Sequence, residues 1–306
     1  MPELPEVQTI VDDLNRKVKG RRIVGVWFDW PKMLKDPLDQ QRNKIAHGHV
    51  RVFRKAIIGK KILRVKRRAK NILIYMSGDM MMLIHLKMTG HLLIGRWKVK
   101  SDKLKEIVIP IEPREIVEDP YNQYVHLIFY LDNGQMLGFS DVRKFGKVVL
   151  GSVGQIEGLP ELTRLGPEPL DPKVTFADFK RIISREKRKI KQVLMDPEVI
   201  AGIGNIYSDD ILWKSKIHPL KRANDLTEQE LRGAWDAMHS ILKKALRLRG
   251  TSSSDYRDTS GKEGYYEGHR LVYQREGEPC KRCRTKIKRI VVGGRSAHFC
   301  PKCQAL

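Results

Sequence analysis

The sequence predicts an α+β protein: an N-terminal helix packed with an antiparallel β-sandwich, a helical second half and a small metal-binding module near the C-terminus. Three observations support this fold class. Apolar residues recur at helical spacing after Pro5, at Val7, Ile10, Val11, Leu14 and Val18. Short apolar runs of strand length dominate the rest of the first half. Two amphipathic segments that begin at a threonine follow in the second half.

The strands of the first half are predicted from apolar runs separated by turn residues. The runs cover 22–30, 62–76, 81–94, 124–131 and 135–140. Asp132-Asn133-Gly134 joins the last two runs, and an Asn-Gly pair is typical of a tight hairpin turn. Segments 31–47 and 96–122 show weak patterning, and we interpret them as loops or insertions.

The second half is predicted to be helical. Thr175-x-x-Asp178 and Thr227-Glu228-Gln229-Glu230 match capping boxes, and the second helix should end near Gly250. The outer face of the first helix is predicted to carry Lys180, Arg181, Arg185, Lys187, Arg188, Lys189 and Lys191. A run of this kind is either a solvated helix face or a phosphate-binding surface, and Lys187 is our candidate DNA contact.

These patterns divide the chain into three predicted domains. Residues 1–158 are predicted to form a β-sandwich domain, 159–268 a helical domain, and 269–306 a small metal-binding module. The stretch after residue 250 is rich in Ser, Thr and Gly, and this composition predicts a loop.

The composition indicates a polyanion as partner. The chain has 59 Lys and Arg against 36 Asp and Glu, which gives a net charge of +23 over 306 residues. No stretch approaches the roughly 20 apolar residues of a membrane span, and the N-terminus lacks the pattern of a secretory signal. We therefore expect a cytoplasmic protein that does not bind membranes.

The cysteines predict one structural zinc ion. Cys280, Cys283, Cys300 and Cys303 form two Cys-x2-Cys pairs separated by 16 residues, the spacing of a tetrahedral zinc site. Four thiolate ligands leave no open position, so this zinc should fold the module and take no part in chemistry. A hairpin at Gly293-Gly294 would present Arg295 at its tip, where a guanidinium can bind a phosphate.

The N-terminal segment allows two interpretations. Pro5 and the glutamates that flank it suit an ordinary helix start. Alternatively, removal of Met1 would leave Pro2 with a free secondary amine. An α-amine titrates near pH ~8, against about 10.4 for lysine, so part of it is neutral and nucleophilic at pH 7. Glu3 and Glu6 would then supply carboxylates for acid–base work.

A run of motifs in matching order and spacing decides between these interpretations. The motifs are Met1-Pro2-Glu3-Leu4-Pro5-Glu6-Val7, Arg67-Arg68-Ala69-Lys70, His85-Leu86-Lys87-Met88-Thr89-Gly90, Asp141-Val142-Arg143-Lys144-Phe145-Gly146, Leu165-Gly166-Pro167-Glu168-Pro169-Leu170, Ala201-Gly202-Ile203-Gly204-Asn205-Ile206-Tyr207, Arg275-Glu276-Gly277-Glu278-Pro279-Cys280 and Gly294-Arg295-Ser296 before the last cysteines. With them the chain resembles the formamidopyrimidine-DNA glycosylase family over almost its whole length.

The resemblance implies a base-excision-repair enzyme for oxidised purines such as 8-oxoguanine and formamidopyrimidines. It implies that Pro2 attacks C1′ and forms a Schiff base, that Glu3 is the acid–base group, and that Lys70 assists elimination and contacts phosphate. Arg295 would serve the second of two eliminations, β then δ, that make the enzyme an AP lyase.

The resemblance also implies a set of DNA contacts. Met88, Arg143 and Phe145 would fill the space left by the flipped nucleotide, and Asn205 would hold phosphate in a helix–two-turns–helix motif. Glu6 and Tyr124 complete the predicted contacts. A lesion-capping loop is expected at 251–266, with Thr251, Ser252 and Tyr256 as alternative contacts to the base.

The chain departs from the family pattern at several positions. Lys87 stands where the family usually has Gly, Gln8 stands where it has Glu, and Tyr124 replaces a DNA-contacting histidine. The N-terminal domain is also longer than usual, around 31–60 and 96–122.

Two other functions stay open at this point. One is an endonuclease VIII-like activity on oxidised pyrimidines, and the other is a non-catalytic, zinc-dependent protein that binds damaged DNA. In every case the expected partner is double-stranded DNA with an oxidised base or abasic site, bound by a monomeric, bacterial-type, nucleoid-associated protein.

Overall fold

The computed structural model describes residues 1–38, 47–102, 105–252 and 255–306. They form two compact units, Met1–Thr163 with Arg249–Tyr265, and Arg164–Leu248 with Tyr266–Leu306. The segment predicted as capping loop thus groups with the N-terminal half, and the cysteine module groups with the helical region. The finer division into three domains stays a prediction. Positions 39–46, 103–104 and 253–254, which belong to the predicted insertions and capping loop, lie outside the described residues.

The first unit combines short helices with two sheets. Its helices are α1 (Leu4–Lys17), α2 (His47–Ile57), α3 (Arg114–Glu118), α4 (Val153–Glu157) and α5 (Pro160–Thr163). Its strands are β1 (Ile23–Phe28), β2 (Leu34–Lys35), β3 (Ile62–Arg68), β4 (Asn71–Met76), β5 (Met80–His85), β6 (His91–Asp102), β7 (Lys105–Glu112), β8 (Val125–Leu131), β9 (Met136–Ser140) and β10 (Lys147–Ser152).

The strands form two five-stranded sheets around one core. The orders are β1-β8-β9-β6-β7 and β2-β10-β5-β4-β3, with antiparallel pairing except between β2 and β10. Apolar side chains of both sheets and of α1 belong to the same buried cluster. The predicted α+β class with an N-terminal helix and antiparallel sheets is confirmed.

Helix α1 follows its sequence pattern closely. Val7, Ile10, Val11 and Leu14 are all buried in the core, as the 3.6-residue spacing predicted. The Asn133-Gly134 turn also joins β8 to β9 as predicted, with Gly134 at φ 79°.

Three predictions about the strands were wrong in detail. The runs 62–76 and 81–94 each contain two strands, because tight turns reverse the chain at 69–70 and 86–90. The described part of segment 96–122 is not a loop: it continues β6, forms β7 and α3, and reaches a 3-10 helix at Pro120–Gln123. Its inward side chains, including Trp97 and Ile116, build a second apolar cluster on the outer face of the first sheet. Burial against that face, and not local propensity, makes this segment regular.

The second unit contains the helical region and the cysteine module. Its elements are α6 (Phe176–Ile183), α7 (Ile190–Met195), α8 (Asn205–Lys214), α9 (Glu228–Arg247), β11 (Lys288–Val292) and β12 (Arg295–Phe299). The capping boxes at Thr175 and Thr227 are confirmed, since each hydroxyl accepts the backbone N–H three residues later at 3.2 Å. Among the described residues of this unit, no helix is long and apolar enough to cross a membrane, and the same holds for the first unit.

The basic outer face predicted for the first helix of this unit needs correction. Helix α6 ends at Ile183, and Lys191 lies on α7 with 0% exposure. Lys180, Arg181 and Arg188 form ion pairs with neighbouring acidic side chains. The face is therefore partly neutralised, and its charge was overestimated because sequence does not show which acids lie beside it.

Candidate functional site

The α-amine at the start of the chain belongs to Met1, which is 45% exposed, and it lies in a charged corner of the first unit beside buried Pro2 and Glu3. Burial lowers the pKa of the Met1 amine below its ordinary value. The charge of Lys70 lowers it further, whereas the carboxylates of Glu3, Glu6 and Asp255 raise it. Glu3 and Glu6 are close to Met1 in sequence, whereas Lys70 and Asp255 are distant and reach the amine only through the fold. The structure therefore places the Met1 amine within electrostatic reach of the carboxylates and the lysine that the sequence selected, and of Asp255, which was not foreseen. The role of the Pro2 amine stays a prediction.

Pro2 and Glu3 are buried at the entry of α1. Glu3 is the residue that precedes the helix, and it is only 2% exposed. This helix start accounts for Pro5 and for the apolar stripe, so the helical interpretation of the segment is confirmed, and the nucleophile interpretation stays a prediction. The two interpretations are compatible, because a helix that starts here holds the chain terminus in place.

Glu6 has a structural role that the sequence did not reveal. One of its carboxylate oxygens accepts the Glu3 N–H at 2.7 Å, and the other accepts the Thr251 N–H at 2.8 Å. Gly250, at φ 83°, leaves no room for a side chain, since an added Cβ would lie 2.6 Å from the Glu6 carboxylate. Glu6 thus ties α1 to the 249–265 segment. Its contact with DNA stays a prediction.

Lys70 lies in the tight turn between β3 and β4. The turn places Ala69 at φ 51°. Arg67, just before it, donates from Nε to the Gln8 side-chain oxygen at 2.8 Å and from its guanidinium to the Ala69 carbonyl at 2.9 Å. Gln8, one of the departures from the family pattern, therefore helps to fix the turn against α1.

The 249–265 segment is anchored to α1 by a buried charge cluster. Arg249 donates to Asp13 at 2.6 Å and to Asp258 at 2.7 Å, and Thr259 donates to Asp13 at 2.9 Å. Burial alone would raise the pKa of Asp13, but the hydrogen bonds from Arg249 and Thr259 hold it below its usual range. The anchored part of this segment is therefore an integral piece of the first unit.

The three candidate lesion contacts in this segment are buried. Ser252 donates to the Tyr256 carbonyl at 2.7 Å and accepts the Gly264 N–H at 2.8 Å. The Tyr256 hydroxyl donates to the Glu6 carbonyl at 3.4 Å, and burial raises the pKa of Tyr256 well above its usual value. Thr251 is 3% exposed. These contacts support the shape of the segment, and a direct contact with the lesion stays a prediction.

The predicted probing residues are exposed at the tips of two loops. Phe145 is 53% exposed and Met88 is 39% exposed, so neither is an ordinary core residue. The Arg143 guanidinium lies 4.5 Å from the centre of the Phe145 ring. Tyr124 is 45% exposed in the same unit.

In the second unit, Asn205 and the Arg295 hairpin are joined directly. The Asn205 amide donates to Ser296 Oγ at 3.0 Å, next to exposed Arg295 at the start of β12. The predicted hairpin is confirmed, with Gly293 and Gly294 at φ 57° and 73° in its turn. Lys187 lies exposed in the loop between α6 and α7.

A buried network supports this arrangement and was not foreseen. Asp209 on α8 accepts the backbone N–H of His298 at 2.9 Å and faces its Nδ1 at 3.0 Å. Its other oxygen accepts from Lys191 Nζ at 2.6 Å. Asp209 and Lys191 are 1% and 0% exposed, so this is a paired buried charge.

The four cysteines form a zinc site. Their sulfur atoms all lie within 4.8 Å of one another, with Cys283 and Cys300 at 3.4 Å and Cys280 and Cys303 at 4.0 Å. Zn–S bonds of about 2.3 Å require sulfur–sulfur distances of about 3.8 Å in a tetrahedron, so the cluster fits one zinc ion. Trp213 Nε1 donates to Cys280 Sγ at 3.3 Å, as expected beside a ligating thiolate.

Three family models match successive regions of the chain. The formamidopyrimidine-DNA glycosylase N-terminal domain matches residues 1–148, and the H2TH domain of the same enzymes matches 165–257. A zinc finger found in FPG and IleRS matches 277–306, the region of the four cysteines.

Relatives with the same name match along the entire chain. Formamidopyrimidine-DNA glycosylase of Herpetosiphon aurantiacus is 39% identical over 306 residues, covering 100% of this chain and 100% of that protein. The Chloroflexus aurantiacus protein of that name is 38% identical, covering 99% and 98%.

Solved structures of similar chains are complexes with DNA. The Lactococcus lactis Fpg bound to DNA with an abasic site is 30% identical, has a TM-score of 0.81 and covers 99% of this chain and 100% of that one. A point mutant of that protein, bound to DNA containing Fapy-dG, is 31% identical with the same TM-score and covers 100% of both chains. With matching family models in all three regions, full-length relatives above 30% identity and a shared fold, the chain belongs to the formamidopyrimidine-DNA glycosylase family of DNA glycosylases with AP lyase activity.

Proposed function

We propose that this protein removes oxidised purines from double-stranded DNA through the amine of Pro2 and then cuts the strand at the resulting abasic site. The observation that carries the proposal is the convergence of Glu3, Glu6 and Lys70 on the α-amine, whose pKa is lowered by burial. Removal of Met1 would make the nitrogen of Pro2 the N-terminal amine. Pro2 is buried in the same corner. Lowering the pKa of an amine raises its neutral fraction, and the neutral form is the nucleophile.

The proposed chemistry balances as a base displacement followed by two eliminations. The Pro2 nitrogen bonds to C1′, the glycosidic bond breaks, and the base leaves with a proton. The C1′–O4′ bond then breaks while Glu3 passes the proton of the Pro2 nitrogen to O4′, which leaves the Pro2–C1′ iminium, the Schiff base. Removal of a C2′ proton expels the 3′ phosphate, and removal of the C4′ proton expels the 5′ phosphate. Water then hydrolyses the iminium, which releases the sugar remnant and restores the Pro2 amine. Lys70 and Arg295 supply positive charge for these phosphates.

The proposed DNA contacts come from both units. Met88, Arg143 and Phe145 are exposed in the first unit and would enter the duplex, where apolar insertion offsets the cost of flipping a nucleotide. Asn205 and Lys187 of the second unit would hold phosphates. The net charge of +23 suits this partner. The relatives are bacterial, and we propose a monomer that acts on the chromosomal DNA of the nucleoid.

Covalent trapping tests the proposal. Borohydride should reduce the Schiff base and link the wild-type protein to a duplex with 8-oxoguanine opposite cytosine, and peptide mapping should find the link on Pro2. Pro2→Gly and Glu3→Gln should lower strand cleavage by about 10³-fold or more, as expected when a nucleophile or its acid–base partner is lost. An uncleaved N-terminal tag should abolish trapping, and the same tag at the C-terminus should not.

The outcomes separate the alternatives. A zinc-loaded wild-type protein that traps nothing and cuts no abasic DNA would be a binding protein, and the enzymatic proposal would be wrong. Trapping on thymine glycol but not on 8-oxoguanine or formamidopyrimidine would assign the pyrimidine activity instead.

A further inference from the structure

Two loops of the first unit carry the three exposed residues proposed to enter the duplex. One loop, residues 86–90, carries Met88, and the other, residues 141–146, carries Arg143 and Phe145. Each loop has exposed residues at its tip and buried residues at both ends. We call them the Met88 loop and the Phe145 loop.

A single carboxylate holds the two loops together. Asp141 is 0% exposed, and one of its oxygens accepts the hydroxyl of Thr89 from the Met88 loop. The same oxygen accepts the Arg143 N–H at 3.3 Å, and the other accepts the Gly146 N–H at 2.7 Å. Thr89 Oγ1 also accepts the Arg143 N–H at 3.2 Å, so the two loops share a bifurcated bond.

The packing around Asp141 leaves little freedom. A Cβ at Gly146 would lie 2.4 Å from the Phe139 ring and 3.1 Å from Asp141 Oδ2, so only glycine lets the loop close on the carboxylate. The backbone N–H of Asp141 donates to the Tyr124 carbonyl at 2.9 Å. The carboxylate is thus fixed on a rigid strand end, and both loops are fixed to it. Charge-assisted bonds of this kind are stronger than those between neutral groups.

We propose that Asp141 is a positioning residue that couples the Met88 loop to the Phe145 loop, so that all three side chains enter the duplex as one rigid wedge. The proposal rests on the function proposed above, because it assigns a role within the flipping step. Asp141 does not touch the sugar in this scheme. Its loss should therefore slow nucleotide flipping more than the chemistry at Pro2.

Asp141→Asn is the sharpest substitution. Its side chain keeps only one acceptor oxygen for the two positions that Asp141 fills. If that oxygen accepts the Gly146 N–H, the NH2 group faces the Arg143 N–H and Thr89 can no longer donate to residue 141; if the amide is reversed, the NH2 group faces the Gly146 N–H. Thr89→Val is a second variant that removes only the bond across the loops and leaves Asp141 and Gly146 joined. Ser152→Ala is the matched control, because it removes the N-cap of α4 in the same unit without touching either loop.

The experiment compares two substrates for each protein under single-turnover conditions. A paired 8-oxoguanine must be extruded from the stack, whereas an abasic site has no base pair to break and is cheapest to flip. We expect Asp141→Asn to excise 8-oxoguanine about 10- to 100-fold more slowly at saturating enzyme, the range expected when positioning is lost. Incision of the abasic duplex and DNA affinity should stay near wild type. Thr89→Val should show the same split, and Ser152→Ala should show none.

A fluorescent base gives an independent readout. A 2-aminopurine placed beside the lesion brightens when stacking is broken, so it reports insertion of the wedge directly. In Asp141→Asn the increase in fluorescence should slow in parallel with excision. A variant that only lowered the overall stability of the protein would not show this parallel slowing.

Every other result would contradict either this proposal or the proposed function on which it rests. If Asp141→Asn lowers the rate equally on both substrates, or on neither, the positioning role is wrong. Activity of the wild type in the same experiment would still support the proposed function. If the wild type has no activity on either duplex, both the proposed function and this inference are wrong. If Asp141→Asn does not fold, Thr89→Val decides the question by the same comparison.

Discussion

Glu6 lies within one turn of the proposed nucleophile, yet its buried carboxylate is held by backbone N–H groups of the protein itself. A group with both oxygens engaged in this way serves the shape of the site. Glu3 belongs to the same capping box, so its proposed work as a proton-transfer group would come in addition to a structural contact of its own.

Glu6→Gln should therefore destabilise the protein. The new NH2 group would face a backbone N–H in a buried place, which costs about 1–3 kcal/mol. Urea unfolding of the zinc-loaded protein without DNA would show this destabilisation as a lower urea midpoint. Glu118→Gln, which removes only a surface ion pair with Arg114, should leave the free energy of unfolding within about 0.5 kcal/mol of wild type. Equal midpoints for Glu6→Gln and wild type would show that its two hydrogen bonds contribute nothing to stability.

At the scale of elements, the second unit depends on the contact between α8 and β12. Asp209 holds the backbone of His298, three residues after Arg295, and Lys191 neutralises it from α7. The pair has a stabilising effect only while it is complete, because either partner alone would be an uncompensated buried charge.

Asp209→Ala should destabilise the second unit by about 3–5 kcal/mol, since Lys191 would lose its counter-charge. Thermal unfolding measures the change, and affinity for duplex DNA should fall with it because the Arg295 hairpin loses its anchor. The double variant Asp209→Leu with Lys191→Met should recover much of the stability but not the affinity. A double variant as unstable as Asp209→Ala would contradict the buried-charge explanation.

For the whole molecule, the high positive charge and the zinc module serve the same partner. A net charge of +23 gives affinity for any DNA, and salt should weaken it. The zinc ion contributes by folding the hairpin that carries Arg295, because a four-cysteine module of this size does not fold without metal.

Chelation of zinc should therefore separate binding from the fold of the first unit. Without zinc, affinity for duplex DNA should fall about 10-fold or more, since a charge-assisted phosphate contact is lost. Hydrogen exchange should show loss of protection in 277–306 and unchanged protection in β4 and β5. Adding zinc back should restore both. Full DNA affinity in the chelated protein would show that Arg295 does not contact the phosphate backbone.

The sequence by itself determined the features that depend on local spacing. Helix α1, the capping boxes at Thr175 and Thr227, the Asn133-Gly134 turn and the zinc site are all encoded within a few residues or by paired motifs. The ordered motifs also identify the family. Local patterns suffice here because the interacting groups are neighbours along the chain.

Only the tertiary structure decided which distant groups meet. Lys191 was predicted on an exposed basic face from its neighbours in the sequence, but the tertiary structure buries it. There it forms an ion pair with Asp209. The tertiary structure made segment 96–122 regular by covering one face of a sheet. It also joined the two probing loops through Asp141 and gathered Lys70 and Glu6 at the N-terminal amine. These contacts depend on burial and on charges from elsewhere in the chain, and neither is visible in a local pattern.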